Sequence, residues 1–206
     1  MGAKELFEEG QKLLIEGKQK ERSDEAGAKD AFSRAVGALS RAIEATPAGT
    51  GAEPAIIYLS RGVAYLQLKD ADKAIADFTK AIEAGQKIGF RAYYYRGIAN
   101  MIKNALEPAV ADLTKAIELK PEHGAAIFAR GAALAQLDRD EEATKDIKTA
   151  LSHSEAGIEG FADTLGIIRT QFDKAMSLMT GQRPVPTMEL SEKETETLRK
   201  WLEGEE

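Results

Sequence analysis

Residues 61–81 read RGVAYLQLKDADKAIADFTKA, and the same pattern returns at 96–116 as RGIANMIKNALEPAVADLTKA and at 130–150 as RGAALAQLDRDEEATKDIKTA. The three Arg-Gly pairs that open these stretches stand 35 and 34 residues apart. In each copy an alanine follows the glycine by 12 residues, a larger apolar residue by 16, and a second alanine by 19. Such fixed small and large positions indicate one supersecondary unit stacked on copies of itself.

Each unit is predicted to form two helices joined by a short polar turn. Leu59, Val63 and Leu66 are spaced three or four residues apart, which places them on one face of a first helix. Ala74 and Phe78 show the same spacing in the second helix. A glycine inside a helix costs about 1 kcal/mol relative to alanine. Because that cost recurs at one register in three units, we expect the facing helix to approach closely there.

This pattern resembles the tetratricopeptide repeat, a unit of two helices over 34 residues. That family carries Gly or Ala at position 8, Ala at positions 20 and 27, large residues at positions 4 and 11, and an aromatic residue at position 24. The units that begin at Ala55, Phe90 and Gly124 keep every small position, whereas the proline expected at position 32 is present only as Pro121. The resemblance implies an all-α fold, a right-handed superhelical solenoid of helix-turn-helix repeats.

An earlier, divergent unit is predicted for residues 3–50. Ala35, Leu39 and Ala42 match second-helix positions of the repeat, and Gly10 matches the glycine of a first helix over residues 6–15. Gly10 and Ala35 are 25 residues apart where the repeat expects about 12. Two explanations are open, a longer polar turn around residues 17–30 or a lengthening of both helices.

The repeat domain is predicted to span residues 3–157, with regular units over 55–89, 90–123 and 124–157. Apolar residues continue at helical spacing afterwards, which predicts a capping helix over 158–180. Residues 181–190 are rich in helix breakers and form a predicted linker. A tail helix is predicted over 191–203, because Ser191 and Glu194 have the spacing of a capping box.

Composition disfavours nucleic-acid binding and catalysis. The 206 residues include 28 Lys and Arg against 34 Asp and Glu, a net charge of −6, which is not the footprint of a nucleic-acid-binding protein. The chain has no Cys and only two His, His123 and His153, so thiolate zinc sites and Cys nucleophiles are excluded. We expect no enzymatic activity, no catalytic or metal-binding residue, no cofactor and no membrane span. The first residues lack an apolar signal core, which favours the cytoplasm, or the periplasm if a leader has been removed.

Three arginines and three aspartates recur in step. Each arginine precedes an aspartate by 16 residues, and the pairs are Arg61 with Asp77, Arg96 with Asp112, and Arg130 with Asp146. One interpretation is an arginine ladder that grips an anionic ligand. The other is an ion pair inside each hairpin, and it is favoured because an aspartate recurs wherever the arginine does.

In the resembled family, positions 2, 5, 9 and 12 of the first helices line a concave groove. Here those positions are largely apolar, and exposed apolar patches usually mark partner contacts. The candidate partner-binding residues are Leu59, Val63, Leu66, Arg91, Tyr94, Ile98, Met101 and Phe128. The resemblance therefore predicts a non-catalytic module that binds a peptide or helix of a protein partner. The alternative is a self-assembly module, in which the C-terminal tail fills the groove in cis or, in a homo-oligomer, in trans.

Overall fold

The computed structural model describes residues 2–21, 23–46, 52–84 and 89–153. These ranges form eight α-helices and contain no strand. The helices are α1 Ala3–Lys20, α2 Glu25–Glu44, α3 Ala52–Gln67, α4 Ala71–Ala84, α5 Gly89–Ile102, α6 Leu106–Leu119, α7 Gly124–Gln136 and α8 Asp140–His153. They pack as consecutive hairpins, α1 with α2 through α7 with α8, so the predicted all-α class and helix-turn-helix arrangement are confirmed. The predicted capping helix, linker and tail helix lie outside the described residues.

The chain divides into two compact units, Met1–Pro121 and Glu122–Glu206. The N-terminal unit contains α1 to α6, and its hairpins are joined where α2 packs on α3 and α4 packs on α5. Its first helices also contact one another in order, α1 with α3 and α3 with α5. The C-terminal unit contains the hairpin of α7 and α8.

A glycine of the first helix sets the spacing of each regular hairpin. A large residue of the second helix packs directly on the glycine's backbone, and the pairs are Gly62 with Phe78, Gly97 with Leu113, and Gly131 with Ile147. A Cβ atom placed on Gly97 would lie 2.7 Å from Leu113 Cγ, which is closer than real Cβ contacts allow. The close approach predicted from the repeated glycine is confirmed.

The first hairpin is longer than the others because both of its helices are extended. α1 has 18 residues and α2 has 20, whereas α4, α5 and α6 have 14 each. Asp24 caps α2 by accepting a hydrogen bond from the Gly27 N–H at 2.9 Å. Gly10 faces Leu39, and Gly17 faces Phe32 in an additional layer. The lengthening of both helices, one of the two explanations that the sequence left open, is therefore the one observed, and α1 runs well beyond the predicted 6–15.

A left-handed residue closes each of the three regular hairpin turns. Lys69, Asn104 and Asp138 have φ angles of 62°, 58° and 57°. In the first of these turns the Asp70 N–H reaches back to the Tyr65 carbonyl at 2.9 Å, the wide hydrogen bond of a Schellman motif. Asn and Asp adopt this conformation more readily than other non-glycine residues, so the strain of about 1–2 kcal/mol falls mainly on Lys69. None of the three positions is a glycine, and the left-handed geometry was not predicted from the repeat.

Candidate functional site

Positions 2, 5, 9 and 12 of the first helices in the N-terminal unit define a surface that we call the ligand face. Residues at this spacing project from one side of an α-helix. On α1 they are Lys4, Phe7, Gln11 and Leu14, and on α3 they are Ile56, Leu59, Val63 and Leu66. On α5 they are Arg91, Tyr94, Ile98 and Met101. The corresponding positions of α7, in the C-terminal unit, are Ala125, Phe128, Ala132 and Ala135.

Most of the predicted partner-binding residues are buried. The six buried ones are Leu59, Leu66, Tyr94, Ile98, Met101 and Phe128, with exposed fractions from 0% to 6%. Val63 is half-buried and Arg91 is exposed. In this conformation the apolar side chains of α5 and α7 therefore belong to the interior, and their role as partner contacts stays a prediction.

The structure brings the three candidates on α3 together. Leu59 and Leu66 share one apolar cluster with Phe78 of α4, and Val63 packs against it. Ala92 of α5 belongs to the same cluster, which links the second hairpin to the third. These α3 side chains therefore hold neighbouring repeats together in addition to any contact they make with a ligand.

Burial at positions 2, 5, 9 and 12 increases from the first hairpin to the fourth. On α1, Lys4 is exposed and its apolar residues Phe7 and Leu14 are half-buried. On α7, all four of these positions are buried. At the more exposed end of these positions, on α1, Gln11 Nε2 donates a hydrogen bond of 2.6 Å to Ser60 Oγ, which connects α1 to α3.

The repeated arginines and aspartates form bidentate ion pairs inside the hairpins. Arg61 Nε donates to Asp77 Oδ2 at 2.7 Å, and its Nη2 donates to Asp77 Oδ1 at 2.8 Å. The third hairpin repeats the geometry with Arg96 and Asp112, at 2.9 and 2.7 Å. The fourth repeats it across Arg130 and Asp146, at 2.6 and 2.8 Å. The interpretation as an internal ion pair is confirmed for all three.

Both ion-paired arginines of the N-terminal unit, Arg61 and Arg96, also reach the preceding hairpin. Arg61 Nη1 donates to Ser40 Oγ on α2, and Arg96 Nη1 donates to Thr79 Oγ1 on α4, both at 3.0 Å. These acceptors were not predicted, although a Ser or Thr directly follows the large residue of the second helix in each case. The arginines therefore join successive repeats.

The surroundings of Arg61 stabilise its charged form. Its hydrogen bond to Asp77 raises the pKa of the guanidinium above its ordinary value, and burial opposes that effect. The rings of Tyr58 and Tyr65 lie 5.8 and 5.9 Å from its Cζ, a cation–π arrangement. With its carboxylate and hydroxyl partners in place, this guanidinium is engaged in the fold, which disfavours the anion-binding ladder.

Neither a helix that could cross a membrane nor a metal-binding group of side chains is present among the described residues. None of the helices in the described ranges combines the length and apolar character needed to cross a membrane. Across residues 2–21, 23–46, 52–84 and 89–153, no three His, Cys, Asp or Glu side chains are grouped so that they could hold a metal ion.

Comparisons with known proteins agree with the hairpin architecture. The sequence profile of the tetratricopeptide repeat matches residues 55–84 and 90–123. No curated protein matches the chain in sequence. The crystal structure of MamA is similar, with a TM-score of 0.56 and 18% identity over 75% of this chain and 94% of that one.

Two other solved structures show the same likeness. A tetratricopeptide repeat protein from Parabacteroides merdae has a TM-score of 0.56 and 17% identity over 96% of this chain and 75% of that one. YrrB, described as a tetratricopeptide repeat protein with an unusual peptide-binding site, has a TM-score of 0.52 and 19% identity over 81% of each chain. At these identities the likeness establishes the fold.

Proposed function

Because the chain carries tetratricopeptide repeats, we propose that it is a non-catalytic protein-interaction module that binds a peptide or helix of a partner along the ligand face. Repeats of this family are typically scaffolds for protein contacts. YrrB, whose fold is similar, is described as having a peptide-binding site. The proposal extends that kind of activity to this chain.

The observation that carries the proposal is the open apolar part of the ligand face on α1 and α3. Phe7, Leu14 and Val63 are half-buried, and Ile56 is 37% exposed. Apolar side chains that share one accessible face favour contact with another protein. A ligand with its own apolar stripe, such as an amphipathic helix, would cover these side chains.

Charge at the edges of this face suggests which ligand fits best. Lys4 and Arg91 are exposed at the ligand-face positions nearest the N-termini of α1 and α5. Complementary charge increases association rate and selectivity. We therefore expect the bound peptide to carry acidic residues beside its apolar stripe.

A displayed library of random peptides, selected on the full chain, tests the proposal. Peptides that bind the wild type should lose affinity for Ile56→Asp by about 10-fold or more, because an apolar contact residue that is covered on binding commonly contributes about 2 kcal/mol. Ala76→Asp is the matched control, since Ala76 is exposed on the second helix α4.

A second pair of variants tests the charge preference. Arg91→Glu should weaken binding of acidic peptides, and Lys29→Glu, which makes the same charge change at an exposed position of α2, should not. If no peptide is enriched, or if peptides bind Ile56→Asp as tightly as the wild type, the ligand-face function is wrong.

A further inference from the structure

Helix α3 meets the first hairpin along a strip of two apolar side chains, Ile57 and Ala64, which we call the α3 seam. The two residues are 4% and 0% exposed. Each belongs to an apolar cluster that contains residues of both α1 and α2. The members that the first hairpin contributes to these clusters are Leu6, Leu13, Ala35, Ala38, Leu39 and Ala42. The seam therefore holds both helices of the first hairpin against α3.

A hydrogen bond lies on each side of the α3 seam. Ser60 and Arg61 project about 40–60° to either side of the seam on the helix. On the side of the ligand face, Gln11 Nε2 of α1 donates to Ser60 Oγ at 2.6 Å. On the other side, Arg61 Nη1 donates to Ser40 Oγ of α2 at 3.0 Å. Two neighbouring residues of α3 thus each hold one helix of the first hairpin.

The two hydrogen bonds differ in strength. The guanidinium of Arg61 is charged, and it is fixed by both carboxylate oxygens of Asp77, at 2.7 and 2.8 Å. A hydrogen bond with an ionised donor is about twice as strong as one between neutral groups such as Gln11 and Ser60. In addition, α2 packs on α3 more extensively than α1 does. The junction is therefore weaker on the side of the ligand face.

We propose that the first hairpin pivots about the hydrogen bond between Arg61 and Ser40, and that the hydrogen bond between Gln11 and Ser60 is a latch that closes the gap between α1 and α3. Release of the latch swings α1 away from α3 and uncovers the α3 seam beside the half-buried apolar residues of the ligand face. Regions with few stabilising contacts are the ones that open most readily in a native protein.

This pivot deepens the proposed function and in that respect rests on it. The opened seam admits a large apolar side chain of the bound peptide, more deeply than the closed ligand face allows. A peptide that binds the open form better than the closed form shifts the population toward it. We therefore expect the preferred peptides to carry one large apolar side chain within their apolar stripe.

The junction between the second and third hairpins is a matched comparison. The residues at the two latch positions are Val63 and Tyr95 there, and Val63 has no group that could form the hydrogen bond. Tyr95 stacks on Phe78 instead, with the ring centroids 5.8 Å apart. Ala99 of α5 corresponds to Ala64 of α3 and is also 0% exposed. We therefore expect no latch at this junction.

The absence of cysteine in the chain allows a direct test by thiol accessibility. In the full-length protein, Ala64→Cys reports on the first junction and Ala99→Cys on the second. A buried thiol reacts with a maleimide through transient openings, so its rate follows the open fraction when closing is fast. Gln11→Leu removes the latch with little change in side-chain volume. We expect it to accelerate the Ala64→Cys reaction about fivefold, the factor by which one neutral hydrogen bond shifts an equilibrium, and to leave Ala99→Cys unchanged.

Three further variants make the test specific. Ser60→Ala removes the other partner of the latch and should accelerate the Ala64→Cys reaction by the same factor. Gln19→Leu makes the same substitution as Gln11→Leu at an exposed position of α1 and should have no effect. Ser40→Ala removes the hydrogen bond of the pivot. Because that bond is present in both the closed and the open form, its loss should leave the open fraction unchanged.

Three outcomes would overturn the proposal. An Ala64→Cys rate that neither Gln11→Leu nor Ser60→Ala changes would show that the hydrogen bond is not a latch. An equal acceleration at Ala99→Cys would show that the substitution loosens both junctions. An acceleration by Ser40→Ala as large as that by Gln11→Leu would show that the hairpin detaches as a whole. The readout needs no partner, so its result is independent of whether the peptide selection succeeds.

Discussion

The first hairpin, α1 with α2, and the second and third hairpins close in two different ways. The regular hairpins combine short helices, one glycine contact and a bidentate ion pair such as that between Arg96 and Asp112. The first hairpin has Glu9 at the arginine position and Ala38 at the aspartate position. In place of the ion pair, the first hairpin has longer helices and a second glycine contact, in which Phe32 packs on Gly17.

The difference shows that apolar area and a partly buried ion pair can serve the same purpose. Phe32 is 3% exposed, and full burial of such a side chain contributes about 1.5–3 kcal/mol. The first hairpin also has a weaker ion pair, in which Arg41 Nη2 lies 3.6 Å from Glu9 Oε2. That oxygen is buried without a hydrogen bond in the described structure, so the first hairpin lacks the well-satisfied polar contact of the others.

The largest expected effect on stability distinguishes a glycine that contacts the facing helix from a glycine with open space around it. Gly97→Leu should destabilise the protein by about 3 kcal/mol or prevent folding, because the added side chain meets Leu113 and the Ala109 carbonyl oxygen. Gly37→Leu on α2 is the control, since nothing lies within 4 Å of a Cβ there. Urea unfolding of both variants gives the comparison. Equal stabilities would show that the glycine contacts do not set hairpin spacing.

A double-mutant cycle compares the ion pairs of the two kinds of hairpin. Arg96→Ala and Asp112→Ala should couple by about 1–3 kcal/mol, because both oxygens of the carboxylate are engaged and the side chains are 22% and 10% exposed. The control cycle on Glu9 and Arg41 should give less than about 0.5 kcal/mol, since those side chains are 38% and 58% exposed. Similar coupling energies in both cycles would contradict the distinction.

The smallest effect concerns the turns. Lys69→Gly should stabilise the protein by about 0.5–1 kcal/mol, because it relieves a left-handed backbone at an exposed position. Glu21, at the end of α1, has a φ of −50°, so Glu21→Gly should destabilise by a similar amount. Thermal unfolding measures both, and a loss of stability in Lys69→Gly would mean that its turn is not left-handed.

Several local features could be predicted because they depend on spacing alone. The glycine contacts and the Arg–Asp pairs recur at a constant separation, and two helices joined by a constant turn bring such positions opposite each other. The left-handed turns were signalled only in part, because Asn104 and Asp138 are residue types that favour positive φ whereas Lys69 is not. The extension of α1 and α2 was obscured by a polar stretch in which Ala28 and Phe32 keep helical spacing and are buried.

The spacing of residues along the chain was enough to predict the repeat, the helix pairs and the contacts within them. Which apolar first-helix positions are exposed became clear only from the packing of the helices. Phe7 and Phe128 are both aromatic, and both occupy position 5 of a first helix, yet Phe7 is half-buried and Phe128 is 2% exposed. An apolar side chain is equally suited to an interior and to a binding surface, so its exposure depends on what the rest of the fold packs against it.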